Sequence, residues 1–304
     1  MQPDLSVNIG SLNLDNPTIL AAGILGLSAS SLKRAVESGA AAVSTKSIGI
    51  EPRAGYINPT IAEVDCGLLN AMGLPNPGVD IYVKEIRLAK EWKIKTIASI
   101  FGASTMEFIR IAKMVEEAGA DAIELNVSCP HVVAMGMQIG QDPKLVEEIS
   151  HAVKSEVHIP VFTKLSPNVS DIVEIANAAA KGGSDAITAV NTVRAMAIDI
   201  ETGYPVLANK IGGLSGPAIK PIAIRCVYEI ARSVKIPVIG CGGIMTWEDA
   251  VEFVLAGATA VQLGTAVAYR GLNVFKEITS GIEKYLERKG FGSLKEIVGL
   301  SHRY

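Results

Sequence analysis

The segment Glu117-Ala-Gly-Ala-Asp-Ala122-Ile-Glu-Leu-Asn126-Val-Ser-Cys129-Pro-His131 changes character twice within a few turns of chain. Gly119 closes a helix-like run, since a glycine just past a helix accepts the backbone twist that ends it. Residues 122–127 then form an apolar run whose only charge is Glu124, the pattern of a strand buried on both faces of a parallel sheet. The run breaks at Pro130, and an amide, a hydroxyl, a thiol and an imidazole gather at the break: Asn126, Ser128, Cys129 and His131. A strand end that carries these groups can be the floor of an active site. Read for packing alone, it is a buried thiol beside a turn. The rest of the chain decides between the two.

The phrase that opens this segment recurs. Glu-Ser-Gly-Ala-Ala-Ala at 37–42, Lys-Gly-Gly-Ser-Asp-Ala at 181–186 and Leu-Ala-Gly-Ala-Thr-Ala at 255–260 repeat its helix end, glycine and small-residue strand start. Around these anchors the hydrophobic pattern predicts strands at 18–22, 41–45, 96–101, 122–127, 161–165, 186–190, 238–241 and 260–263. Helices are expected at 30–38, 79–92, 106–118, 143–156, 170–181, 218–233, 247–255 and 273–288. Eight alternating units of this kind predict an α/β fold, a single (β/α)8 TIM barrel, with a doubly wound sheet as the alternative. An alternating stretch at 5–14 reads as an N-terminal hairpin closing the bottom of the barrel. Insertions follow strands 2 and 6, at 46–77 and 191–217, on the face where barrels build their sites. The first, punctuated by Gly49, Pro52, Gly55, Pro59 and Gly67, reads as a loop that can act as a lid.

Composition excludes several classes. Of the 304 residues, 49% are hydrophobic and 19% charged, so a large core is affordable and no disordered tail is expected. A net charge of −3 offers no basic footprint for nucleic acid. No apolar run approaches the ~18 residues of a membrane span, and no signal peptide is evident. The four cysteines, 66, 129, 226 and 241, lack metal-ligand or disulfide spacing, which points to a reducing, cytoplasmic setting.

In a barrel the carboxyl ends of the strands converge. Strand 2 ends at Thr45-Lys46-Ser47, strand 3 at Ser99, strand 5 at Lys164 and strand 6 at Asn191-Thr192. Two lysines at the mouth of an apolar barrel are costly unless an anion binds there. Strand 7 ends in Gly240-Cys241-Gly242-Gly243, and strand 8 in Gly264-Thr265. Glycine-rich loops at these two positions form the common phosphate site of such barrels, because bare backbone N–H groups can approach the phosphate oxygens. The pattern therefore predicts a phosphorylated ligand with lysines, asparagines and one thiol at its reactive end.

These residues resemble the class 1 dihydroorotate dehydrogenases over essentially the whole chain, and most closely the type B catalytic subunit. The matching phrases are Thr45-Lys46-Ser47, Asn70-Ala-Met-Gly-Leu-Pro-Asn76, Asn126-Val-Ser-Cys129-Pro, Lys164-Leu-Ser-Pro-Asn168, Val190-Asn191-Thr192, Leu207-Ala-Asn-Lys-Ile-Gly-Gly-Leu-Ser-Gly-Pro-Ala218 and Gly240-Cys-Gly-Gly243. The chain starts directly at the hairpin and carries Cys129, whereas class 2 members resemble it less: they have an amphipathic extension and a serine base. The resemblance implies one FMN-binding domain over 1–304 that oxidises (S)-dihydroorotate to orotate in pyrimidine biosynthesis. Cys129 would remove the C5 proton while flavin N5 takes the C6 hydride.

The same resemblance assigns the wall. FMN would be held by Ala22, Lys46, Ser47, Ser99 and Asn126 on one side. Lys164 would lie near the flavin N1/O2 edge, with Val190 and Cys241 beside it, and the phosphate would rest on Gly216, Gly242, Gly243, Gly264 and Thr265. Substrate would meet Lys46, Asn70, Met72, Gly73, Leu74, Asn126, Asn191 and Thr192. His131 stands where the family usually has an asparagine that contacts orotate; a histidine can still donate to a carboxylate. The resemblance implies as partners a second copy of this subunit and an electron-transfer subunit with FAD and a 2Fe–2S cluster; the chain itself has neither a dinucleotide fingerprint nor a cluster motif. No metal, nucleic-acid or membrane partner is expected. Two rival readings use the same residues: a flavin barrel that reduces free pyrimidines, and an aldolase in which Lys164 forms a Schiff base.

Overall fold

A computed structural model of the protein describes residues 2–127 and 139–303. Eight parallel strands close into a barrel: β1 (Thr18–Leu20), β2 (Ala42–Ser44), β3 (Thr96–Ile100), β4 (Ala122–Asn126), β5 (Val161–Leu165), β6 (Ala186–Ala189), β7 (Val238–Cys241) and β8 (Ala258–Leu263). Their order in space is their order in the chain, and β8 closes on β1 with Val261 opposite Thr18. The TIM barrel predicted from the repeated units is borne out, and the doubly wound alternative is not. Every residue of β3 and β5 is buried, as strands covered by helices outside and packed side chains inside must be.

The helices between strands are α1 (Ala29–Glu37), α2 (Val79–Glu91), α3 (Thr105–Glu117), α4 (Pro143–Lys154), α5 (Ile172–Lys181), α6 (Lys220–Ser233), α7 (Trp247–Leu255) and α8 (Val274–Lys289). Their starts follow local chemistry. Asp171 accepts from the backbone N–H groups of Val173 and Glu174, so α5 begins two residues later than its apolar pattern suggests. Thr246 and Asp249 cap α7 reciprocally, a device worth about 0.5–2 kcal/mol. The α6 unit opens with a 3₁₀ turn, Pro217–Ile219, because Pro217 is tolerated only in a first turn.

The expected hairpin is present, with Val7–Ile9 pairing to Leu12–Leu14. Val7, Ile9, Leu12 and Leu14 face inward while Asn8 and Asn13 are exposed. Gly10 at its turn lies against Pro160 and Asp185, which precede β5 and β6. The hairpin therefore seals the amino-terminal end of the barrel.

The opposite end differs from its expected form. The first insertion is not only loop: Ile61–Val64 and Gly67–Asn70 form a hairpin. Gly67–Asn70 pairs in turn with Gly212–Ser215 of the second insertion, which pairs with Val193–Ala195. The two insertions are thus one four-stranded antiparallel sheet over the barrel mouth. Glycine and proline content masks this in the sequence, because the stabilising partner of Gly67–Asn70 comes from the other insertion.

Candidate active site

Between the barrel mouth and the capping sheet lies a cavity of about 780 Å³, within the range of ligand sites. Its floor is polar. Glu124 sits on β4 two residues below Asn126, so both side chains point to the same face. The Glu124 carboxylate accepts from Thr188 Oγ1 at 3.0 Å and from Gln262 Nε2 at 2.6 Å, both on Oε2. Its other oxygen, Oε1, accepts no hydrogen bond but lies 3.7 Å from Lys164 Nζ. Lys164 in turn donates to Gln262 Oε1 at 2.7 Å.

Burial works against the Lys164 ammonium, while a thiolate at Cys241 or the carboxylate of Glu124 favours it; the balance holds its pKa above the ordinary lysine value. Burial also raises the Cys241 pKa. A thiol kept protonated supplies no charge, so the group that keeps Lys164 cationic is Glu124.

Above the floor, amides form a row. Asn126 donates to Ser47 Oγ at 3.1 Å, and Asn191 donates to Asn126 Oδ1 at 3.4 Å. The Thr192 backbone N–H donates to Asn191 Oδ1 at 2.8 Å, which fixes that amide's orientation. Asn70, on the capping sheet, donates to the Gly213 carbonyl at 3.1 Å. Each of these side chains lines the cavity, as do Met72, Gly73, Leu74, Ala22 and Val190. Ser99 is not among the lining residues; its hydroxyl lies 2.9 Å from that of Ser47, which is.

Across the barrel, β7 and β8 deliver the glycines. Gly216, Gly242 and Gly243 have φ of 97°, 129° and 76°, and all line the cavity together with Gly264 and Thr265. Thr265 Oγ1 donates to Ser215 Oγ at 2.8 Å, joining the end of β8 to the capping sheet. Lys220 Nζ binds Asp249 at 2.8 Å and so ties the start of α6 to the start of α7. A Cβ on Gly243 would stand 2.8 Å from the Gly216 carbonyl oxygen and 2.8 Å from the Lys220 backbone nitrogen. The concavity exists because no side chain fills it.

Lys46 is buried at 7% exposure, and no carboxylate among the described residues lies within ion-pairing distance. Residues 128–138 contain no acidic residue to supply one. Burial alone pulls its pKa below 10.5. Lys46→Met should therefore raise folding stability by about 0.5–2 kcal/mol while weakening retention of an anionic ligand. Between the lowered folded value and 10.5 the unfolded chain binds the extra proton, so the cost of Lys46 lessens as pH rises through that window. Thermal unfolding of the two proteins at neutral and alkaline pH measures the gap, which should narrow at alkaline pH.

Residues that sequence reasoning did not assign include Gln262, Asn168 and Arg194, all in the cavity wall. Asn168 donates to the Thr192 carbonyl and accepts from the Arg194 backbone N–H, which sets the path of the chain after β6. Its signal was the Lys-Leu-Ser-Pro-Asn phrase. Gln262 was signalled only by an amide in the apolar end of β8. Cys129 and His131 lie outside the described residues.

The profile of the family described as dihydroorotate dehydrogenase matches residues 4–286. The chain belongs to the dihydroorotate dehydrogenase family. Enzymes of this family are flavin-dependent and oxidise dihydroorotate to orotate in pyrimidine biosynthesis. Full-length relatives include a protein named dihydroorotate dehydrogenase B (NAD(+)), catalytic subunit, from Methanosarcina acetivorans, 54% identical over 97% of this chain and 95% of that one. A protein of the same name from Pyrococcus abyssi is 54% identical over 98% of this chain and 99% of its own length. These relatives bear out the class 1, type B resemblance. In fold the chain is similar to a crystal structure of the dihydroorotate dehydrogenase of Eimeria tenella in complex with ferulenol. The TM-score is 0.85 at 24% identity, covering 99% of this chain and 89% of that one. Among the described residues no helix is long and apolar enough to cross a membrane.

Proposed function

We propose that this chain binds FMN in the cavity at the barrel mouth and oxidises (S)-dihydroorotate to orotate, with Cys129 as the base. The observation that carries this reading is one cavity with two dissimilar ends. A side-chain-free concavity built by Gly216, Gly242 and Gly243 faces a row of amides above a buried ammonium. The concavity fits a phosphate, to which backbone N–H groups can donate. The Lys164 ammonium suits a ring edge that gains negative charge. FMN, when bound, supplies the acceptor for the hydride that leaves C6 of the substrate.

The chain's own residues do the rest. Asn70, Asn126, Asn191 and Thr192 hold the amide and carboxylate edges of the substrate, and Lys46 and His131 add donors for its anionic group. Cys129, as a thiolate, takes the proton from C5; the electron pair left behind forms the C5–C6 double bond as hydride departs from C6. The capping sheet, with Met72, Gly73 and Leu74 over the mouth, excludes water from the reacting face. Residues 1–304 act as one catalytic unit in the cytoplasm. Its partners are a second copy of itself and a subunit carrying FAD and a 2Fe–2S cluster that passes electrons on to NAD⁺.

The aldolase reading loses its footing at Lys164. An amine must be neutral to attack a carbonyl, and Glu124 keeps this one protonated. The purified protein should be yellow, release FMN on denaturation, and bleach anaerobically on addition of dihydroorotate. A colourless protein that borohydride couples irreversibly to an aldehyde would overturn the reading.

A further inference from the structure

Glu124 is a fully buried carboxylate to which the proposed reaction gives no task. It is 0% exposed, with one oxygen that accepts no hydrogen bond. Burying a charge in this way is costly unless something requires it. Its surroundings point one way. Both donors to the carboxylate, Thr188 and Gln262, converge on Oε2, while the unbonded Oε1 is the oxygen that faces Lys164. Gln262 binds both groups at once: its N–H donates to the carboxylate and its carbonyl accepts from the ammonium. Turned over, the amide would set its carbonyl against an anion and its N–H against a cation. Its orientation is therefore determined by the two charges it bridges.

Resting on the flavin reading above, we infer that Glu124, acting through Gln262, is a positioning residue that holds Lys164 charged and aimed at the cavity floor where the cofactor's ring edge would lie. Without the carboxylate, burial would govern Lys164 and favour the neutral amine. Lys164 has few other influences. Of the strands around it, β7 offers the Cys241 thiol, β8 the neutral Gln262 and β6 the Thr188 hydroxyl. Lys46, at the end of β2, lines the same cavity and is shifted by burial alone. Glu124 is thus the one carboxylate paired with Lys164 among the described residues.

The test is FMN binding by the apoprotein, read from flavin fluorescence quenching between about pH 7 and 9, in wild type, Glu124→Gln, Glu124→Asp, Lys164→Met and the Lys164→Met/Glu124→Gln double variant. Wild type should bind FMN with little pH dependence in this range, because its ammonium stays charged. Glu124→Gln should bind on the order of tenfold more weakly at pH 9 than at pH 7, since above its pKa the ammonium loses about tenfold of its charged fraction with each pH unit. Glu124→Asp, which keeps the charge, should restore the flat profile. In the Lys164→Met background, Glu124→Gln should change affinity by less than about twofold, since the group it acts through is gone. A flat profile in Glu124→Gln, or an equal loss in the Lys164→Met background, would overturn the inference and leave Glu124 a structural residue. A wild-type chain that binds no FMN at any pH would instead overturn the flavin reading, and this one with it.

Discussion

Replacing Cys129 with alanine is expected to slow reduction of the bound flavin by dihydroorotate about 10²–10⁴-fold, the range for loss of a positioned base, while the flavin stays bound. The two halves of this expectation come from different parts of the molecule. The C5 proton must go to a group with a free electron pair, and in the proposed reading that group is the Cys129 thiolate, a stronger base than a neutral imidazole. In the proposed reading cofactor retention rests instead on the glycine loops after β7 and β8 and on Lys164 of β5, which line the cavity and are distant from residue 129 in sequence. Cys129→Ser adds a graded control. Its hydroxyl ionises at far higher pH than a thiol, so its residual rate should climb with pH. Anaerobic stopped-flow absorbance of the flavin separates the outcomes: a Cys129→Ala variant reduced at near wild-type rate would remove the base from residue 129.

The barrel was legible because each unit carries the same local instruction. A glycine past a helix end, then small residues opening a strand, recurs at 37–42, 117–122, 181–186 and 255–260, and local chemistry of this kind does not depend on distant partners. Strand ends were legible for the same reason, so the residues of the cavity wall could be collected before their geometry was known. The capping sheet was not. Its pairing of Asn70 with Gly213 joins segments 143 residues apart, and nothing in either segment alone states that the other will be there. The resemblance names Ser99 along with Ser47, and their hydroxyls lie 2.9 Å apart, with Ser47 at the cavity surface. Glu124 was visible as a lone charge in an apolar run. Its meaning was not, because it depends on Lys164 of β5, Thr188 of β6 and Gln262 of β8 arriving at one point.

Gly243→Ala should cost at least about 10² in FMN affinity, equivalent to roughly 3 kcal/mol, whereas Gly264→Ala should cost less than about tenfold. Both glycines line the cavity, and both stand in loops expected to receive the phosphate. They differ in what a methyl group would meet. Gly243 has φ of 76°, where a side chain is disfavoured by about 1–2 kcal/mol. Its Cβ would also press at 2.8 Å on the Gly216 carbonyl oxygen and the Lys220 backbone nitrogen. Neither atom can swing aside as a side chain would, so the loop or the start of α6 must move, and the backbone N–H groups that the proposed reading gives to the phosphate move with it. Gly264 has a negative φ of −115°, with ψ of −88° a little beyond the helical range, and its Cβ would meet only Ala21 Cβ at an ordinary 3.5 Å. Riboflavin, which lacks the phosphate, isolates the cause. Wild type and Gly264→Ala should both prefer FMN to riboflavin strongly, and Gly243→Ala should lose most of that preference. Circular dichroism should show the barrel folded in each, because the clash lies in a loop beyond β7. Equal losses for the two variants, or an undiminished FMN preference in Gly243→Ala, would move the phosphate away from the β7 loop.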